Sequence, residues 1–138
     1  MTPAELARLH AASFTVPRPW DEAEFASLLS GPGVFLLTRD AGFLLGRAIA
    51  GEAEILTLAV SPAARRQGTG RALVASFLDE ARSRGAESAF LEVAADNAPA
   101  IALYRAAGFA ESGLRRGYFH VPGRAAVDAL VMTARIQG

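Results

Sequence analysis

Between residues 54 and 94 the chain is apolar, then amphipathic, then apolar again, and this order constrains the fold more than any other stretch. Glu54 to Val60 (EILTLAV) reads as a strand, ended by Pro62, which has no N–H to give to a ladder. Thr69 to Arg84 reads as a helix. Leu73, Val74, Phe77, Leu78 and Ala81 recur on one face, Asp79, Glu80 and Arg82 lie elsewhere, and Gly85 is the stop. Ser88 to Ala94 (SAFLEVA) is a strand with few polar positions, the pattern of burial on both faces in a parallel pair. Strand, helix and strand in this order predict an α/β architecture.

The flanking segments extend the pattern. Thr2-Pro3-Ala4-Glu5 has the form of a capping box and opens a helix carrying Leu6 and Leu9 to about Ala12. Asp21 to Glu24 repeats that logic for a second helix, which Gly31-Pro32-Gly33 stops. Val34 to Thr38 and Phe43 to Ala50 read as a hairpin around Asp40-Ala41-Gly42. Asn97 to Ala107 is a helix stopped by Gly108. Phe109 to Phe119 and Ala125 to Ala134 follow as two long strands. No repeat, linker or second composition interrupts residues 1–138, which read as one domain.

The composition excludes several kinds of chemistry. All 14 basic residues are Arg, and they face 14 acids. A balanced chain lacks the basic excess of a general nucleic-acid binder. With no Lys, Schiff-base catalysis and the P-loop mechanism have no carrier. With no Cys, thiol nucleophiles, Fe–S clusters and Cys-ligated zinc are excluded. His10 and His120 are too far apart in sequence to suggest a metal site, and none is expected. His10, lone on its helix, reads as a surface residue, and His120 lies in a loop. No run approaches the roughly 18 apolar residues of a membrane span. The first ten residues mix acid and base around no apolar core, unlike a signal peptide. A cytoplasmic protein is expected, and nothing in the pattern specifies an oligomeric state.

The most informative stretch is Val60-Ser61-Pro62-Ala63-Ala64-Arg65-Arg66-Gln67-Gly68-Thr69-Gly70-Arg71. Gly68 and Gly70 permit backbone angles that aim successive N–H groups into one concavity, at a helix N-terminus that carries about half a positive charge. Arg65, Arg66 and Arg71 add formal charge and can fork around phosphate oxygens. Together these suit a pyrophosphate. A glycine-rich helix cap with solvated arginines is the plainer reading of the same residues. A Walker A loop is excluded by the missing Lys, and a dinucleotide fingerprint by Leu73 at its third glycine position.

Arg65-Arg66-Gln67-Gly68-Thr69-Gly70 after Val60-Ser61-Pro62 resembles the acetyl-CoA signature of the GNAT acetyltransferases. Leu91-Glu92-Val93, Asn97 with Ala100-Ile101-Ala102-Leu103-Tyr104, Gly108-Phe109, Arg115-Arg116 with Tyr118-Phe119, and Asp128 to Met132 are similar to the bacterial RimI-type branch. So is Pro19-Trp20 followed by Phe25. The resemblance implies the GNAT fold, a mixed and mostly antiparallel central sheet flanked by about four helices. The family's first strand is expected to be missing or truncated, since the sequence starts almost at a helix. It also implies direct transfer of an acetyl group from acetyl-CoA, as cosubstrate, to a primary amine. The expected acceptor is a protein N-terminus, a ribosomal protein in that branch. A small-molecule amine and a non-catalytic CoA-binding module are the alternatives.

On this resemblance Glu92, the lone acid of an otherwise apolar strand, is the expected general base, because a carboxylate is costly to bury and is readily made a proton acceptor there. A strand-end Glu reaching solvent or paired with Arg is the plain structural reading. Tyr104, seven residues after Asn97 and on the same side of its helix, is the expected general acid; a core aromatic is the alternative. The cofactor is expected to meet Arg65, Arg66, Gln67, Gly68, Thr69, Gly70 and Arg71, with Asn97 either capping its helix or reaching the pantetheine arm. Backbone N–H groups near Leu58, Ala59 or Val60 would face the developing oxyanion. Trp20 and Tyr118 are expected at the acceptor site, with an interhelix core contact equally open for Trp20.

Overall fold

The computed structural model describes residues 1–13, 19–62, 68–120, 123 and 125–136. Its elements, in chain order, are α1 (Pro3–Ser13), α2 (Glu22–Leu29), β1 (Val34–Arg39), β2 (Gly42–Ile49), β3 (Glu52–Val60), α3 (Thr69–Ser83), β4 (Ser88–Ala94), α4 (Ala98–Ala106), β5 (Ala110–Phe119) and β6 (Val127–Arg135). The described strands form one sheet in the order β1-β2-β3-β4-β6-β5. Every neighbouring pair is antiparallel except β3 with β4. This is the mixed sheet expected from the sequence, flanked by four helices. Among the described residues α1 precedes every strand.

Both predicted capping boxes form. The Thr2 N–H donates to Glu5 Oε1 at 3.3 Å, and the Glu5 N–H donates to Thr2 Oγ1 at 3.1 Å. Asp21 and Glu24 make the same exchange at 2.8 and 3.2 Å. Each satisfies two backbone donors that a helix start otherwise leaves without partners.

Strand alternation sorts the core onto two faces. On one, Leu73, Val74, Phe77 and Ala81 of α3 pack over Phe35, Leu44, Ile55, Leu91 and Met132, and the cluster continues to Tyr104 and Phe109. On the other, Leu6 of α1 and Phe25 of α2 cover Phe43, Leu45 and Ala59. Each fully buried Leu or Phe contributes roughly 1.5–3 kcal/mol. That scale explains why the apolar periodicity fixes which face each helix covers.

The surface placement expected for His10 is corrected here. His10 is 1% exposed, within the aromatic contacts of Trp20, Phe25 and Phe43. Both ring nitrogens have partners, Thr57 Oγ1 at 2.8 Å and the Trp20 N–H at 2.9 Å. A neutral imidazole so satisfied can lie in an apolar layer.

The feature that positions the site is where β3 and β4 part. Their parallel pairing covers only Glu52–Ile55 against Ser88–Leu91. Beyond it β3 continues along β2 to Val60, and β4 continues along β6 to Ala94. The sheet therefore opens into a gap between two diverging strand ends.

Candidate active site

The β3 wall of the gap is backbone. The Ser61 N–H donates to the Ala41 carbonyl at 2.7 Å. Strand alternation from that bond turns the peptide of Ala59 toward β2 and those of Leu58 and Val60 toward the gap. Of the three expected oxyanion positions, Leu58 and Val60 fit by direction. Ala59 does not, and its side chain packs beneath α1 and α2.

At the head of this wall α3 begins. Gly68 is its N-cap, with φ +80°, and no side chain caps the helix among the described residues. A left-handed angle at that point is what glycine tolerates and most residues do not. The first N–H groups of the helix are left directed outward, as an anion site requires. The methyl of Thr69 leans toward Gly42, and a Cβ at Gly70 would meet Leu103 Cδ2 at 3.1 Å. Gly70 thus lets α3 and α4 approach closely. Arg71 is exposed in the first turn. Arg65, Arg66 and Gln67 lie outside the described residues.

The β4 wall carries the acid. Glu92 is the first residue past Leu91, the last that pairs with β3, so it stands where the gap opens. Leu91 and Val93 face the α3 cluster, and alternation turns Glu92 to the opposite face. Its side chain keeps 23% exposure, and Oε2 lies 3.5 Å from Arg115 Nη1. The structure gives it an arginine partner, as the plainer reading of the sequence allows. That oxygen is nevertheless buried with no hydrogen-bond partner among the described residues. Arg115 in turn places its guanidinium carbon 4.7 Å from the centre of the Tyr118 ring. Tyr118 is 47% exposed on β5.

Beyond β4, Asn97 caps α4. Its Oδ1 accepts from the Ala100 N–H at 3.3 Å, so the capping alternative describes that oxygen. Tyr104, on the same helix, is buried and packs edge-to-face on Phe109. Burial pushes its phenol further up from the ordinary tyrosine range. The proton therefore stays on the oxygen unless a strong base forms beside it.

Trp20 sits elsewhere. It stacks on His10 at 5.1 Å, meets Phe25 edge-on at 5.5 Å, and lines an open concavity of about 500 Å³ with Asp21, Ala23, Glu24, Ser27 and Leu28. This is the interhelix contact, with one side of the residue left at a surface hollow. His120 is exposed just after β5. The structure thus brings Glu92 and Tyr118 together through Arg115. The sequence assigns no role to Arg115; its one signal there is its place in the Arg115-Arg116 stretch with Tyr118-Phe119 that carries the resemblance. Among the described residues no group of His, Asp and Glu is arranged to hold a metal. No described helix is long and apolar enough to cross a membrane.

Comparison with known proteins identifies the family. Residues 4–109 match the model of the acetyltransferase (GNAT) family. The chain is 41% identical over 123 residues to the [ribosomal protein bS18]-alanine N-acetyltransferase of Escherichia coli K12, covering 86% of this chain and 82% of that protein. It is 39% identical over 135 residues to the N-alpha-acetyltransferase RimI of Mycobacterium tuberculosis, covering 91% and 82%. The crystal structure of the E. coli ribosomal-protein-S18-alanine N-acetyltransferase superposes with a TM-score of 0.85 at 35% identity, covering 99% of this chain and 88% of that one.

Proposed function

The chain belongs to the GNAT acetyltransferase family, and from that premise we propose that it acetylates the α-amine of a protein N-terminus, an alanine terminus of a ribosomal protein being the acceptor suggested by its relatives. As a GNAT enzyme it is an acetyl-CoA-dependent N-acetyltransferase. The observation that carries the reading is the gap between β3 and β4. Inward-turned peptides line one side, and a carboxylate with a vacant buried oxygen lines the other.

The thioester supplies an activated acetyl group, and this chain's residues handle its charge and protons. The α3 start, through the N–H groups after Gly68, holds the diphosphate, with Thr69, Gly70 and Arg71 on that turn. Arg65, Arg66 and Gln67 are assigned to the same cradle from the sequence. Leu58, with Val60 beside it, offers backbone to the carbonyl oxygen as the amine adds. Glu92 takes the proton the amine loses as the N–C bond forms, and Tyr104 gives one to the sulfur as the C–S bond breaks. At pH 7, freeing an α-amine of its proton costs about 1.4 kcal/mol and freeing a Lys side chain about 4.6 kcal/mol, so an α-amine suits a modest base. Because the Tyr104 phenol is a weaker acid than usual, it acts as a hydrogen-bond donor that releases its proton only to a largely formed thiolate. Asn97 keeps its amide nitrogen available beside its cap. Tyr118 is assigned to the acceptor side, and Trp20 keeps the interhelix contact described above.

The test is thiol release from acetyl-CoA with a peptide beginning in Ala, the same peptide blocked at its N-terminus, and a panel of polyamines and aminoglycosides. Turnover with the free peptide alone is expected. Faster turnover with a small amine would overturn the acceptor assignment, and CoA binding without turnover on any amine would overturn the catalytic one.

A further inference from the structure

β3 changes its support at the point where it becomes a wall of the gap. Its parallel pairing with β4 ends at Ile55. On the other side Gly46 of β2 pairs with Ile55 and Leu45 pairs with Thr57, so Leu56 is an extra residue, a bulge. A bulge bends its strand and increases the local twist. Thr57 is therefore the first residue of a stretch that, among the described residues, only β2 holds in the sheet. α1 adds a hold from outside the sheet. The Trp20 N–H donates to His10 Nδ1 at 2.9 Å, which leaves the ring proton on Nε2, and that N–H donates to Thr57 Oγ1 at 2.8 Å. His10 is itself fixed, buried against Trp20, Phe25 and Phe43.

A hold on this hydroxyl reaches the backbone. Thr is β-branched and stiff at χ1, so anchoring Oγ1 limits rotation at the Thr57 Cα. The Thr57 carbonyl and the Leu58 N–H belong to one planar peptide unit, so the two turn together. Strand alternation aims that N–H into the gap. We propose that His10 is a positioning residue for acetyl transfer, fixing through Thr57 the direction of the Leu58 N–H that meets the thioester oxygen. The inference rests on the reading of Leu58 as the donor to that oxygen. A donor stabilises developing charge without reorganising only if it is already aimed. The bulge frees β3 from β4 to open the gap, and the His10 bond removes the looseness that this freedom leaves.

The test uses acetyl-CoA and an Ala-Ala peptide with wild type, Thr57→Val, Thr57→Ser, His10→Phe and His10→Phe/Thr57→Val, each checked for folding by circular dichroism. Thr57→Val is expected to lower kcat by about tenfold, with KM for both substrates held within about twofold. Thr57→Ser keeps the hydroxyl and is expected to restore kcat. In the His10→Phe background, where kcat is already lowered, Thr57→Val is expected to add no further loss. Infrared difference spectra of carbonyl-labelled acetyl-CoA, bound without acceptor, read the donor itself. The thioester C=O stretch is expected below that of free acetyl-CoA in wild type, with a smaller displacement in Thr57→Val and in His10→Phe. An unchanged kcat or an unchanged carbonyl displacement in Thr57→Val, no rescue in Thr57→Ser, or a second loss in His10→Phe/Thr57→Val overturns the proposal. No carbonyl displacement in wild type overturns instead the reading of Leu58 on which it rests.

Discussion

His10 of α1 and Thr57 of β3 are joined by a 2.8 Å hydrogen bond through the imidazole Nε2, across the layer between helix and sheet. The tautomer follows from the other nitrogen. Nδ1 accepts the Trp20 N–H at 2.9 Å, so the ring proton resides on Nε2 and is donated to the threonine hydroxyl. One neutral ring thus ties the segment entering α2 to the strand that lines the gap.

Replacing His10 with Phe keeps the aromatic stack and removes both hydrogen bonds. A Thr57 hydroxyl and a Trp20 N–H then lose their partners in a part-buried layer. With about 1–3 kcal/mol for each unsatisfied group, a loss of roughly 3 kcal/mol is expected in urea unfolding. A change below about 0.5 kcal/mol would show that the ring only fills space.

The same residue predicts an acid-labile fold. Desolvation lowers the His10 pKa from 6.5 to about 4, opposed by the nearby Glu24 carboxylate. The unfolded chain therefore binds the proton more readily than the folded one between those values. Stability from this group is complete above about pH 6.5 and is lost as pH falls toward 4, by about 3 kcal/mol in all. Urea midpoints across that range should fall with acid in wild type, and His10→Phe should flatten that part of the profile.

Two substitutions at the start of α3 separate backbone angle from close packing. Gly68→Val adds a side chain to open space but forces a β-branched residue to φ +80°. Gly70→Val drives into Leu103 and pushes α3 from α4. Both should weaken CoA binding by roughly tenfold or more, about 1.4 kcal/mol or greater, in calorimetric titration. Gly70→Val should also lower thermal stability through the clash. CoA affinity untouched in both would remove the anion-binding role of this turn.

Glu92→Gln and Tyr104→Phe test the proton path. Each should lower kcat by about 10²–10⁴ with CoA binding preserved. Tyr104→Phe nearly conserves volume in the core beside Phe109, so its stability should change by less than about 1.5 kcal/mol. Wild-type rates in both variants would exclude these roles.

The fold was largely legible because its signals are local. The Thr2–Glu5 and Asp21–Glu24 boxes are three-residue patterns, and the Leu73-Val74-Phe77-Ala81 stripe declares the buried face of α3 without reference to any other element. The apolar run around Glu92 announced a strand but not its burial: Ala89, Leu91 and Val93 are buried on one face, while Ser88, Phe90 and Glu92 on the other stay half-buried, so the expected burial on both faces is corrected. What stayed hidden depends on partners distant in sequence. A single His on a short helix gives no sign of Thr57, 47 positions away, or of the aromatic layer that encloses it. The parting of β3 from β4 after Ile55 is written in neither strand, since both remain strand-like to their ends. Arg115 could be assigned to Glu92 only once β6 had set the register between them. Residues Arg65, Arg66 and Gln67 of the expected cradle fall outside the described part of the chain.

Among the described residues, four paired strand positions join β1-β2-β3 to β4-β6-β5 within the sheet. The turn assigned to the donor follows the first half, while the assigned proton acceptor and its arginine belong to the second. Selection could therefore retune which amine is modified through changes confined to one side, leaving the grip on the thioester carrier inherited intact.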